Sequence, residues 1–117
     1  MSVGRGLPSH LTPAERVALA EFMDGARRLL GDELLEARLY GSRARGEGDA
    51  ESDVDVALVV TSAGRERRDR LIDLAFDIQL KTGVEIAPSV VARSRLDELR
   101  ARERLIARAI DEEGIPL

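Results

Sequence analysis

The chain has 117 residues, of which 44% are hydrophobic and 34% charged, and its net charge is −4 at pH 7. This length suits one domain with a modest core, and the composition is that of a globular protein rather than a disordered one. The negative charge and the 3% aromatic content argue against direct nucleic-acid binding, which favours basic surfaces and stacking platforms. Because the sequence has no cysteine and no apolar run long enough to span a membrane, we expect a cytoplasmic protein.

The first predicted element is a helix that follows a loose N-terminal tail. Thr12 is a suitable N-cap, Pro13 occupies the first helical position and Glu15 the capping-box position. Apolar residues then recur with the helical period until a glycine ends the pattern. We therefore predict a flexible tail over residues 1–11 and a single domain over residues 12–117.

Three short apolar segments follow this helix and are typical of strands. The second is apolar on both faces and rich in β-branched residues, so it predicts a central strand that is covered on both sides. The predicted strands are Glu36–Tyr40, Val54–Val60 and Val84–Val91. A short helical turn is expected over 43–45, and residues 46–52 have the composition of a loop. Helices are expected over 64–81 and from Ser94 onwards. The order α-β-(short α)-β-α-β-α predicts an α/β (α+β) fold with a small mixed sheet flanked by helices.

Two aspartates open the central predicted strand. Asp53 and Asp55 are separated by one residue, so their side chains project from the same face of the strand. Two carboxylates at this spacing repel each other, and each resists ionisation beside the other. A divalent cation relieves the repulsion, and Mg²⁺ commonly binds one or two carboxylates together with substrate phosphates. Taken alone, however, the pair is more typical of a solvated strand end or of residues that compete for a helix cap.

Gly41 and Ser42 directly follow the first predicted strand. Glycine allows the backbone to approach a phosphate closely, and a short helix after it directs N–H groups at an anion, to which Ser42 can add a hydroxyl. A Gly-Ser pair by itself is most often only a turn. Its combination with Asp53 and Asp55 favours a phosphate-binding turn beside a metal-binding strand, which phosphoryl transfer requires.

The segment GSRARGEGDAESDVDV resembles the G-S-x10-D-x-D signature of the polymerase-beta-like nucleotidyltransferase superfamily. The short chain is similar to the minimal nucleotidyltransferases, many of which are antitoxins paired with a HEPN-type ribonuclease toxin, and the resemblance spans residues 12–112. It implies the polymerase-beta-like nucleotidyltransferase fold. It also implies that Gly41 and Ser42 bind the phosphates of ATP and that Asp53 and Asp55 hold two Mg²⁺ ions.

The third carboxylate of this family is expected on the next strand, in a pattern similar to V-D-h-h-P. The present chain has VEIAP there, so Glu85 occupies the matching position and departs from the family's aspartate. Because glutamate is one methylene longer, it would place the metal and the attacking hydroxyl differently. Glu85 is predicted to be a catalytic and metal-binding residue, and a plain exposed strand residue is the alternative.

Several arginines lie close to these motifs. Arg43 and Arg45 follow the Gly-Ser pair and are predicted to bind nucleotide phosphates. The alternative is that they are solvated or pair with Glu47 and Asp49. The arginine-rich run 65–70 is typical of a solvated helix start, although contact with a phosphate or an acidic partner is another interpretation because arginines there oppose the helix dipole.

Three functions are compatible with the resemblance. The first is a Mg²⁺-dependent transfer of AMP from ATP to a hydroxyl, such as that of a tyrosine, on a partner HEPN-type toxin. The second is a non-catalytic or weakly catalytic antitoxin that neutralises the toxin by binding. The third is an antibiotic-modifying nucleotidyltransferase. It is disfavoured because those enzymes use a second domain, which we do not expect in a chain of this length. We expect the first function, in a hetero-oligomer with the toxin and without direct nucleic-acid or membrane contact.

Overall fold

The computed structural model describes residues 7–46, 53–62, 64–102 and 105–117, in which helices cover both faces of a mixed sheet. The helices are α1 Pro13–Leu30, α2 Arg65–Thr82, α3 Arg93–Ala101 and α4 Leu105–Glu113. The strands are β1 Leu34–Tyr40, β2 Val54–Val60, β3 Ile86–Ala92 and β4 Ile115–Pro116. The predicted mixed α/β fold is confirmed.

The sheet has the strand order β3-β2-β1-β4, so the strand that follows the first aspartate is central, as predicted. Strand β1 runs antiparallel to β2, whereas β3 runs parallel to β2. As a result, the C-terminal end of β1 and the N-terminal ends of β2 and β3 lie at the same end of the sheet. We call this end the site end, because the Gly-Ser pair, the aspartates and Glu85 all adjoin it.

The side chains of β2 alternate between two hydrophobic clusters, which explains why this strand is apolar on both faces. One face packs against α1 and α2 through Val54, Val56, Leu58 and Val60. The other face packs against α3 and α4 through Ala57 and Val59. Burial of each valine or leucine contributes about 1.5–3 kcal/mol. Because the side chain of Asp55 follows the alternation of Ala57 and Val59, it projects from the α3/α4 face.

Helix α1 begins with the predicted capping box. The Thr12 side chain accepts a hydrogen bond from Glu15 N at 3.1 Å, and the Glu15 carboxylate accepts one from Thr12 N at 2.8 Å. Each interaction satisfies an amide at the helix start that has no partner within the helix. Gly31 follows the last residue of the helix, also as predicted.

The loose conformation expected for the N-terminal tail does not apply to residues 7–11. Leu11 is buried in the core cluster beneath α1 and α2. The guanidinium of Arg16 donates a hydrogen bond to Pro8 O at 2.7 Å, which ties this segment to the first helix. Residues 1–6 of the predicted tail lie outside the described residues.

The C-terminal region differs from the prediction of one helix that starts at a Ser94 cap. The structure has two helices here, and the N-cap of α3 is Ala92, two residues before Ser94, without a side-chain hydrogen bond. The break lets Leu96 of α3 and Ile110 of α4 pack into the same cluster on the sheet. Arg100 then joins the two helices through hydrogen bonds to Asp111 at 2.7 and 2.8 Å.

The remaining elements are the short strand β4 and the long helix α2. The short strand β4, which the sequence analysis missed, pairs antiparallel with β1. Helix α2 covers the predicted segment, and Gly83 ends it in the left-handed conformation with φ of 78°. Most of the predicted loop 46–52 lies outside the described residues. No helix in the described ranges has the length and apolar composition needed to cross a membrane.

The central position of β2 generates a stability prediction. Leu58 is fully buried, so Leu58→Ala should lower the free energy of unfolding by about 2–5 kcal/mol because it removes apolar contacts and leaves a cavity. Leu105→Ala is the matched control, since Leu105 is 80% exposed and should change stability little. Urea denaturation followed by circular dichroism measures both, and equal losses would contradict the assignment of β2 to the core.

Candidate functional site

Gly41 lies against the carboxylate of Asp55 at the site end. Its φ is 78°, which is in the left-handed region that favours glycine. A methyl group added at this position would overlap Asp55 Oδ2. Glycine is therefore required both by the backbone conformation and by the space that the carboxylate occupies. The structure thus brings the Gly-Ser pair and the aspartate-bearing strand into contact.

Ser42 lies in the turn that follows Gly41 and is half-buried. The turn is closed by hydrogen bonds from Ala44 N and Arg45 N to Gly41 O, at 3.1 and 3.2 Å. It contains the short helical turn that the sequence predicted over residues 43–45. The hydroxyl-bearing residue is thereby held next to the glycine that touches Asp55.

Asp55 carries a charge that its surroundings disfavour. Burial of the carboxyl raises its pKa, and the charge of the neighbouring Asp53 raises it further. The guanidinium of Arg45 acts in the opposite direction and lowers this pKa in part. The repulsion inferred from the Asp-x-Asp spacing is therefore present in the folded protein, and an added cation would relieve it.

Glu85 lies directly before β3 and beside Asp53. Its main-chain oxygen accepts a hydrogen bond from Val54 N at 2.9 Å, which extends the pairing of β2 with β3 to the site end. A hydrogen bond with Asp53 and the charge of that aspartate raise the pKa of Glu85. Gln79 Nε2 donates a hydrogen bond to Glu85 Oε1 at 3.5 Å. The Glu85 side chain is exposed, so it is at the rim of the site.

These carboxylates fit a metal ion that arrives with ligands of its own. Among the residues that the structure describes, no group of three or more histidine, cysteine, aspartate or glutamate side chains is arranged to hold a metal. Asp53 and Asp55 nevertheless provide the one or two carboxylates that Mg²⁺ uses when substrate phosphates complete its coordination. The donor set therefore fits a Mg²⁺–nucleotide complex better than a metal bound by protein alone.

Arg43, which the sequence predicted to bind nucleotide phosphates, contacts Glu15 of α1. Its side chain is only 4% exposed, and its Nε and Nη2 atoms donate to the Glu15 carboxylate at 2.9 and 2.5 Å. Burial alone would raise the pKa of Glu15, but the hydrogen bonds from Arg43 and Thr12 outweigh it and lower the pKa. Arg43 therefore anchors the Gly-Ser turn to the start of α1.

Arg45 remains close to the aspartates. Its side chain is 40% exposed, its Nη1 atom pairs with Glu113 Oε2 at 2.7 Å, and its charge acts on Asp55. The alternative partners considered from the sequence, Glu47 and Asp49, lie outside the described residues. Of the two arginines in the turn, Arg45 is thus the one with the exposure that phosphate binding needs.

The arginine-rich start of α2 forms contacts within this chain. Arg67 pairs with Glu33, Arg70 pairs with Glu66 at 2.9 Å, and Arg68 Nη2 donates to Val90 O at 3.1 Å. These contacts support the interpretation of this run as the solvated face of a helix.

Tyr40 is a residue of the site that the sequence analysis missed. It pairs with Asp55 across the strands, and its hydroxyl lies 3.0 Å from Ser89 Oγ on β3. Because β2 lies between β1 and β3, the tyrosine side chain must cross the central strand, and the small Ala57 opposite Ser89 leaves room for it. Tyr40 therefore separates the carboxylates from the apolar cluster beneath α3 and α4. A tyrosine directly before Gly-Ser was the available signal.

Comparisons with known proteins identify the family and the fold of this chain. A family model described as a nucleotidyltransferase domain matches residues 19–111. MJ1305 of Methanocaldococcus jannaschii, designated a candidate protein adenylyltransferase, is 33% identical over 76 residues. The match covers 62% of this chain and 52% of that protein, so the chain spans about half the length of this curated relative.

Solved structures share the fold. A candidate minimal nucleotidyltransferase superposes with a TM-score of 0.57 at 23% identity, and the match covers 94% of this chain and 100% of that one. A toxin–antitoxin structure with AMP-PNP has a TM-score of 0.53 at 18% identity, and the match covers 81% of this chain and 68% of that one. At these identities the likeness establishes the arrangement of helices and strands.

The Gly41–Asp55 contact predicts the effect of a small substitution. Gly41→Ala should weaken binding of Mg²⁺–AMP-PNP at least tenfold, because the added methyl group displaces the Asp55 carboxylate. Gly83→Ala is the matched control, since Gly83 has the same φ but open space around its Cα. It should lower stability by about 1–2 kcal/mol and leave binding unchanged. Titration calorimetry compares the two, and equal binding by Gly41→Ala and wild type would refute the contact's importance.

The buried Arg43–Glu15 pair predicts a loss of stability. Arg43→Met leaves the Glu15 carboxylate buried without its cation and should lower the free energy of unfolding by about 3–5 kcal/mol at pH 7. Because the pKa of Glu15 is lowered on folding, its contribution is present at neutral pH and is lost as pH falls through that lowered pKa. The double variant Arg43→Met/Glu15→Gln should recover part of the loss. Urea denaturation from pH 7 to pH 3 measures these effects, and a single variant as stable as wild type would contradict them.

Proposed function

Because the chain belongs to the nucleotidyltransferase domain family, we propose that it is an enzyme that transfers AMP from ATP to a hydroxyl group of a partner protein. The observation that carries this proposal is the contact between Gly41 and Asp55. It joins a turn that a phosphate can approach closely to carboxylates of the kind that Mg²⁺ binds. The transfer of a nucleotide needs both the phosphate-binding turn and the metal-binding carboxylates.

A protein acceptor and a toxin partner are supported by the relatives. MJ1305 is designated a candidate protein adenylyltransferase, and one structure of the same fold is a toxin–antitoxin with AMP-PNP. The partner that we propose is a HEPN-type ribonuclease toxin, and the acceptor is a tyrosine hydroxyl of that toxin. In this role the chain is an antitoxin that inactivates its partner by covalent modification.

The side chains at the site end have separate roles in this proposal. Asp53 and Asp55 would hold the Mg²⁺ that accompanies ATP, which when bound would supply positive charge for the phosphates. The Ser42 hydroxyl and the amides of its turn donate hydrogen bonds to the departing pyrophosphate. Arg45 contributes positive charge beside Asp55.

In the transfer, the acceptor oxygen forms a bond to the α-phosphorus of ATP while the bond from that phosphorus to the bridging oxygen breaks. Pyrophosphate leaves, and the hydroxyl proton must pass to a base. Glu85 suits this task because its carboxylate is exposed at the rim of the site, where an acceptor hydroxyl can approach it. We assign Glu85 to the acceptor side of the site.

A second candidate function is neutralisation by binding without catalysis. One observation favours it: Glu85 stands where the family pattern has an aspartate. In that case the chain would inhibit the toxin only while the two remain associated, because occlusion ends when the complex dissociates.

The test uses catalytic amounts of the chain with ATP, Mg²⁺ and the proposed HEPN-type toxin. Intact-mass analysis should show the toxin modified by one AMP, and the toxin should remain inactive after the chain is removed. Asp53→Asn/Asp55→Asn should abolish the modification. Glu85→Gln should lower kcat at least a hundredfold and leave ATP affinity nearly unchanged, because a general base acts in the transition state.

Glu112→Gln is the matched control, since Glu112 is an exposed glutamate whose only described pairing is with Arg108 on the same helix. It should react like the wild type. An unmodified toxin that is inhibited only at equimolar ratios, and equally well by the double aspartate variant, would favour neutralisation by binding.

A further inference from the structure

The outward side of α2 carries two parallel rows of exposed residues that the fold does not use. The apolar row consists of Ile72, Phe76 and Leu80, which are 50%, 57% and 71% exposed. The acidic row consists of Asp69, Asp73 and Asp77, which are also exposed. Both rows have the four-residue spacing that aligns side chains along one side of a helix. We call these six residues the α2 face.

The apolar row makes no contribution to the core of this chain. Helix α2 packs on the sheet through a different stripe, Leu71, Ala75 and Ile78. Helical periodicity places that stripe on the opposite side from Ile72, Phe76 and Leu80. Scattered single apolar residues are ordinary on a protein surface, whereas an aligned row with an aromatic residue at its centre is typical of an interaction site.

The acidic row differs from the basic residues of the same helix. Within the part of the chain that the structure describes, the side chains of Asp69, Asp73 and Asp77 form no ion pair or hydrogen bond. In contrast, Arg67 and Lys81 pair with glutamates of other elements. Like charges at a spacing of four residues destabilise a helix. Arg70 and Lys81 lie three or four residues from members of this row, but their described ion pairs are with Glu66 and Glu21. A row of cations on a partner would therefore relieve the repulsion that remains among the three aspartates.

We propose that the α2 face docks an amphipathic helix of the partner protein, with apolar side chains over Phe76 and its neighbours and a row of lysines or arginines opposite the three aspartates. The inference rests on the proposed function in that the docked partner is the protein that accepts AMP. The net charge of −4 adds a general attraction for a basic partner.

An antiparallel second copy of this chain fits the α2 face poorly. In an antiparallel pair of α2 helices centred on Asp73, the twofold axis would place the acidic rows of the two copies side by side. Six carboxylates would then lie together at the contact, which costs free energy. Charge complementarity therefore favours a basic partner over this antiparallel self-association.

The α2 face also extends towards the candidate site. Helix α2 ends just before Gly83, and Glu85 follows two residues later at the site end of the sheet. Gln79, one residue before Leu80, donates a hydrogen bond to Glu85. A partner docked along the α2 face would thus have one end beside the group that we assign to the acceptor hydroxyl.

The probe is a fluorescein-labelled helical peptide with leucines at every fourth position and a flanking row of lysines. A matched peptide has glutamates in place of the lysines. Fluorescence anisotropy should show the lysine peptide binding to the wild-type chain at least tenfold more tightly than the glutamate peptide. Phe76→Gln and Leu80→Gln should each weaken the binding about tenfold, because each removes a large apolar contact.

Charge reversal supplies a test that loss of folding cannot mimic. Asp73→Lys/Asp77→Lys should invert the preference, so that the glutamate peptide binds more tightly than the lysine peptide. Leu105→Gln and Asp32→Lys are matched controls on exposed residues outside the α2 face and should bind like the wild type. All variants should bind Mg²⁺–AMP-PNP normally, so failure of docking and failure of nucleotide binding are separate results.

Two results would overturn the inference. The first is that the wild-type chain binds both peptides with equal affinity or binds neither of them. Weakening of lysine-peptide binding by the control variants as large as that by Phe76→Gln would have the same meaning. The second is a wild-type dimer in sedimentation equilibrium that Phe76→Gln converts to a monomer, which would assign the α2 face to a second copy. In the transfer assay, a raised KM for the toxin with unchanged kcat in Phe76→Gln would support docking of the acceptor protein.

Discussion

The repulsion between Asp53 and Asp55 is the constraint on which the arrangement of the site depends. Both carboxylates are held at the start of a strand that is buried on both faces beyond them, and the burial of Asp55 adds to the cost of its charge. A fold that needed only stability would place neutral residues there. The surrounding contacts keep the pair in place: Gly41 leaves space for Asp55, and the buried Arg43–Glu15 pair anchors the turn that carries Gly41.

The same constraint explains why the site is open. A closed cage of three or more ligands would hold a metal in the absence of nucleotide, and the described residues contain no such group. Two carboxylates that repel each other bind Mg²⁺ best when phosphates supply the remaining ligands. Metal and nucleotide are then expected to bind together, which links occupancy of the site to the presence of the substrate.

The sequence predicted the features that depend on local patterns. The capping box at Thr12 and Glu15 and the two-sided burial of β2 follow from spacing and periodicity. The contact of Gly41 with Asp55 depends on the antiparallel pairing of β1 with β2, which those patterns do not show. The roles of Arg43 and Tyr40 could not be predicted, because each depends on a partner far away in the sequence, Glu15 and Ser89 respectively. Strand β4 was missed because a strand of two residues has no periodicity to detect. The break between α3 and α4 was missed because the apolar residues of both helices follow one continuous helical pattern.

Thermal melting tests most directly whether the repelling aspartate pair serves to bind a metal–nucleotide complex. The wild-type chain and Asp53→Asn/Asp55→Asn are compared in EDTA and in Mg²⁺ with AMP-PNP. In EDTA the double variant should melt at the same temperature as the wild type or higher, because the repulsion has been removed. Mg²⁺–AMP-PNP should raise the melting temperature of the wild type only. A double variant that is strongly destabilised in EDTA, or that is stabilised by Mg²⁺–AMP-PNP as much as the wild type, would contradict a metal-binding role for the pair.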